Sequence, residues 1–132
     1  MRMHILTPAG AAQQAGCVNG APAVPACITL LPAGMSPTIP ASGTGIGNLT
    51  FVAVHEPLTN GAFFLGELTK FVHVSPQRFD SVTVGGSGAA GITTTVRGTA
   101  GESVLLTAVD ASGTVRTAMA LIGAGGTVVV TM

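Results

Sequence analysis

From Leu49 onward, apolar and polar residues alternate with a period of two, and β-branched residues are dense. Successive side chains on a strand point to opposite faces, so this pattern reads as β-strand rather than helix. It predicts strands at about 49–55, 62–66, 69–75, 79–84, 91–97, 103–109, 114–122 and 126–132. The stretch "TVRTAMALIG" holds Ala, Met and Leu that also suit a helix, but the Gly-rich turns flanking it favour a strand. Asn60-Gly61 is a hairpin signal, since both residues accept positive φ. "GGSGAAG" (85–91), "GTAGE" (98–102), "DASG" (110–113) and "GAGG" (123–126) supply Gly or Asp where reversals need them.

The N-terminal third follows another pattern. Six of the eight prolines lie in the first 47 residues, and "GAPAVPACITLLPAGMSPTIPASGTGIG" excludes helix, leaving one short strand at Ile28 to Leu31. Residues 1–47 therefore read as an extended Pro/Gly-rich arm packed on the domain or on a neighbour, and residues 48–132 as the domain. Short strands at steady spacing with Gly turns predict an all-β, antiparallel β-sandwich with that arm attached. The start, "MRMHILTPAG", has no apolar stretch of the length a signal peptide needs.

The run G-x-x-G-E-x-V-x-L-x-A-x-D-x-x-G from Gly98 to Gly113, with a Gly-turn-strand ending, resembles the immunoglobulin-like β-sandwich modules of secreted glycoside hydrolases and cell-surface proteins. The resemblance covers under half the chain and carries over no functional residue. It implies an immunoglobulin-like sandwich, with a jelly-roll as the alternative layering, and an extracellular or surface-associated life. The Cys…Trp…Cys pattern of antibody domains is absent.

Charge changes the picture most. Asp, Glu, Lys and Arg make up 8% of the chain, against about 25% in an ordinary soluble domain. Formal net charge is zero, which leaves no basic stripe for nucleic acid. No apolar run approaches the roughly 18 residues of a membrane-spanning helix, and with no Trp or Tyr there is no aromatic girdle for an outer-membrane barrel. A chain this poor in charge repels its neighbours weakly. Its surface is expected to be covered by like subunits, covered by sugar, or built from Thr, Ser and Gly.

Cys17 and Cys27 flank "VNGAPAVPA" and read most simply as one loop-closing disulfide, worth roughly 2–3 kcal/mol and implying an oxidising compartment. Asn48-Leu49-Thr50 is an N-glycosylation sequon. Seven of the thirteen ionisable residues fall between His55 and Asp80: His55, Glu56, Glu67, Lys70, His73, Arg78 and Asp80. Three chemistries compete for this cluster. Were strands 49–55 and 69–75 to pair, His55 and His73 could approach each other, with Glu67 as a third metal ligand and Glu56 nearby, though the spacing is not diagnostic. Glu56 and Glu67 could act as paired carboxylates on a sugar, but no Trp or Tyr is present to stack on the ring. Glu67, Lys70, Arg78 and Asp80 could form cross-strand ion pairs that set register or contacts. The ion-pair reading is favoured. The Gly-rich runs lack the Lys of a phosphate loop, and no G-x-S-x-G elbow occurs.

These features favour a non-catalytic structural or assembly subunit of a coat, fibre, sheath or surface decoration. Its partners would be copies of itself or other assembly proteins, with glycan as a further candidate and no cofactor. The alternative is an accessory or carbohydrate-binding module of a secreted or cell-surface protein.

Overall fold

The computed structural model describes residues 3–8, 18–19, 26–31, 54–70 and 72–132, the first three segments by backbone alone. The described residues are all-β, with antiparallel pairing throughout and no helix. It follows that none of them lies in a helix long and apolar enough to cross a membrane. The chain divides into two compact units, Met1–Glu56 and Pro57–Met132.

The first unit holds a four-stranded sheet of β1 (Met3–Pro8), β2 (Val18–Asn19), β3 (Ala26–Leu31) and β4 (Val54–His55), in the order β2-β3-β1-β4. β1 pairs with β3 over its whole length, from Met3↔Leu31 to Pro8↔Ala26. β4 pairs with β1 through His4↔His55 and Ile5↔Val54.

The second unit holds β5 (Phe63–Gly66), β6 (Phe79–Val84), β7 (Ile92–Arg97), β8 (Ser103–Val109), β9 (Val115–Leu121) and β10 (Thr127–Thr131). They form two three-stranded sheets, β10-β7-β6 and β5-β8-β9. Alternation puts one face of each sheet into a shared core. Ile92, Val96, Phe79 and Val130 come from the first sheet, and Phe64, Val104, Leu106 and Ala108 from the second. Phe64 and Phe79 meet edge to face, with ring centroids 5.1 Å apart. Two sheets over one core are consistent with a β-sandwich. β5 and the facing part of β8 are buried on both faces, since Phe63, Leu65, Thr107 and Val109 are buried as well.

The expected strand at 69–75 is not seen among its described residues, 69–70 and 72–75. Segment 67–78 instead carries the chain from one sheet to the other, held by local bonds from Lys70 N–H to Glu67 C=O and from Arg78 and Phe79 N–H to Ser75 C=O. Alternation in "FVHVS" is overridden because Pro76 and the close turn at Ser75 leave no neighbour for a ladder. Asn60-Gly61 is a turn, and among the described residues it joins no hairpin ladder, since β4 pairs with β1 and β5 with β8. Gly61 takes a φ of +80°, while Asn60 keeps a negative φ and uses its side chain to bind Ala90 C=O, Gly91 C=O and Ala62 N–H. Cys17, the Cys27 side chain and Asn48 lie outside what is described, so the bridge and the sequon stay as expectations.

Candidate functional site

One end of the second unit concentrates its charge. Glu67 directly follows β5, Arg78 directly precedes β6, Arg97 ends β7 and Glu102 directly precedes β8. The Arg78 guanidinium bonds to the other three. Its Nε donates to Glu67 Oε2 at 2.7 Å and its Nη2 to Glu67 Oε1 at 3.0 Å. Nη2 also donates to Glu102 Oε1 at 2.7 Å, and Nη1 to Glu102 Oε2 at 2.9 Å. A further Nη1 bond reaches the Arg97 carbonyl at 2.7 Å. The five N–H donors of an arginine thus have five acceptors, in the fork geometry that suits carboxylates. Glu67 is buried at 3% exposure, so it needs this partner.

The surrounding backbone is shaped to the clamp. A Cβ built at Gly98 would run into Arg78 Nη1 and Glu102 Oε2, so only glycine leaves the guanidinium its place. Gly66 (φ +72°) lies flush against the His73 carbonyl, which accepts Glu67 N–H at 3.0 Å. Hydrogen bonds from Arg78, then from Thr99 N–H, hold Glu102 down from 4.5 to about 2. The Arg78 guanidinium is pushed up, chiefly by its bonds to Glu102 and then Glu67. Burial lowers the pKa of the half-buried His73.

Of the seven residues singled out in the sequence, the structure joins Glu67, Arg78 and, through Glu102 at 3.8 Å, Lys70. Asp80 pairs separately with Arg97 across β6 and β7, its Oδ2 accepting from Nε at 2.6 Å. His73 contributes its carbonyl to the segment's backbone bonding. His55 and Glu56 belong to the first unit. Among the described residues β4 pairs with β1, and residues 69–70 and 72–75 lie in no strand, so the ladder on which an approach of His55 to His73 was expected is not among the described pairings. Among the described residues no three His, Cys, Asp or Glu side chains gather as metal ligands.

Sequence reasoning missed Glu102, Arg97 and a second node at Asp110. The Asp110 carboxylate caps the β8–β9 turn. Its Oδ1 accepts from Ser112 N–H (3.0 Å), the Ser112 hydroxyl and Thr114 N–H (2.9 Å), and its Oδ2 from Arg116 Nε and Nη2 (2.9 Å each). These bonds, led by Ser112, lower it from 3.8 to about 2. The available signal was the balance of signs: residues 57–132 hold four cations and four carboxylates.

All eight of those charges are paired with one another: Arg78 with Glu67 and Glu102, Lys70 with Glu102, Arg97 with Asp80, Arg116 with Asp110. Apart from these pairs, residues 57–132 carry no Asp, Glu, Lys or Arg. The outer face of β6, β7 and β10 carries the row Thr83, Thr93 and Thr131, with Ser81, Thr95 and Val129 in the next row. The outer face of β9 exposes Met119 at 73% and Leu121 at 63%. Comparison with protein-family models, curated proteins and solved structures gives no match to this chain.

Proposed function

We propose that this protein is a non-catalytic assembly subunit that associates with copies of itself through uncharged β surfaces. The observation that carries this reading is the complete internal pairing of the eight charges of residues 57–132. Charge that would keep copies apart or recruit an ionic partner is used inside the unit. Meanwhile Val84, Met119, Leu121 and Val129 are exposed. The carboxylates support no hydrolytic role, since Glu67 and Glu102 are both bonded to one guanidinium. A coat, sheath or surface-decoration setting, outside the cell or on a particle, accords with a surface of this kind. The immunoglobulin-like reading is supported by strand order in part: β5-β8-β9 and β7-β6 are neighbours in the manner of strands C-F-G and E-D, while β10 stands beside β7 where an immunoglobulin domain has strand B.

Light scattering behind size-exclusion chromatography, run over a range of loading concentrations, tests the proposal. Mass should rise with concentration. A monomer at every concentration overturns it, and binding on a glycan array would then favour the carbohydrate-binding alternative.

A further inference from the structure

The second unit has four edge strands, and they are not equally protected. β6 is bulged between Phe79 and Ser81 and carries Asp80. β5 has four residues and a bulge between Phe64 and Gly66. Bulges and charges are what sheets use to prevent edge-to-edge pairing. β10 is regular over five residues, and its outward positions are Thr127, Val129 and Thr131. β9 is the longest, seven residues in unbroken register with β8, and no strand lies beyond it among the described residues.

The ladder fixes which β9 groups face outward. Asp110 N–H bonds Thr114 C=O and Ile122 N–H bonds Glu102 C=O, at the two ends of the β8–β9 register. Alternation then turns the backbone of 116, 118 and 120 toward β8. It leaves the N–H and C=O groups of Val115, Thr117, Met119 and Leu121 at the open edge. The side chains of these same residues form the outer face, where Met119 and Leu121 are exposed.

We propose that β9 is a homophilic edge: two copies pair β9 antiparallel about a twofold axis at Ala118, joining two three-stranded sheets into one of six strands. This rests on the assembly reading and names its contact. In that register Val115 faces Leu121 of the second copy and Thr117 faces Met119, so each outward residue meets another outward residue. About eight backbone hydrogen bonds form, and the apolar outer faces become continuous. Charge matching selects a second copy as the occupant. The only charge on β9, Arg116, is neutralised by Asp110 of its own chain and would face Ala120, so no like charges meet. A charged partner strand would find nothing to pair with. One strand pair buries less than the roughly 1,200 Å² of a lasting complex, which gives weak, concentration-dependent association.

Sedimentation velocity of the full chain and three variants tests this. Thr117→Pro removes one outward N–H and no bond to β8, which an edge strand tolerates. Met119→Lys places a charge on the outer face at an exposed site. Val129→Lys does the same on β10. The expected result is that Thr117→Pro and Met119→Lys weaken association by about tenfold or more while Val129→Lys leaves it unchanged. If Thr117→Pro fails to fold, Met119→Lys alone carries the readout. Association that persists in both β9 variants overturns the β9 contact and leaves the assembly reading standing, most plainly if Val129→Lys abolishes it. A wild-type monomer throughout overturns both.

Discussion

Where β5, β6, β7 and β8 come together, two carboxylates and an arginine are packed against each other, with Glu67 withdrawn from solvent; along β9, Met119 and Leu121 face solvent instead. The usual placement is reversed in both regions. Charge acts here as internal fastening, and apolar side chains are left for the surface. The clamp can do this because one guanidinium bridges the ends of both sheets, so its geometry fixes how they meet. The β9 edge needs no such network, because pairing with β8 already sets its conformation.

Arg78 carries the largest expected effect on folding. Arg78→Met strands the buried Glu67 carboxylate and is expected to cost about 3 kcal/mol in urea unfolding. Arg78→Lys recovers little, since an ammonium lacks the fork that reaches both carboxylates. A combined Glu67→Gln, Arg78→Met variant should lose less than the sum of the single losses. Gly98→Ala forces a methyl group into the clamp and should cost about 1–3 kcal/mol. Asp110→Ala removes the acceptor of the β8–β9 turn and of Arg116, a loss of about 1–2 kcal/mol.

Acid sharpens the same contrast. Glu102 and Asp110 titrate at about 2 in the folded chain, below their ordinary 4.5 and 3.8. A depressed carboxylate contributes stability that is present above its unfolded value and lost as pH falls through the folded one. The melting temperature should therefore decline between about pH 4.5 and pH 2. The lowered His73 adds a loss that begins as pH falls through its ordinary 6.5, because burial disfavours its charged form. Met119→Lys and Val129→Lys, at sites exposed by more than half, should change unfolding stability by no more than about 0.5 kcal/mol. Met119→Lys then acts on association alone, Val129→Lys on neither, and clamp substitutions on folding.

Strands whose alternation met a partner were legible in the sequence. The ranges 79–84 and 103–109 coincide with β6 and β8, and 91–97, 114–122 and 126–132 lie within a residue of β7, β9 and β10 at each end. Alternation reports which side chains can share a face, not whether a neighbour is there to bond. That is why 69–75 was misread, and why β1, whose partner β3 begins 18 residues after β1 ends, passed unnoticed. The clamp was half legible. Glu67 and Arg78 stood out as a local charge cluster, but Arg78 and Glu102 are 24 residues apart and meet only because two sheets close over one core.

If association runs through the second unit, whose eight charges are paired with one another, it is apolar and insensitive to salt. Sedimentation equilibrium of the full chain at about 50 mM and about 500 mM NaCl reads this directly, since such a change strongly screens exposed ionic contacts. The expected dimerisation constant is unchanged or modestly stronger at high salt. Association that falls steeply with salt, or a monomer under both conditions, would contradict it.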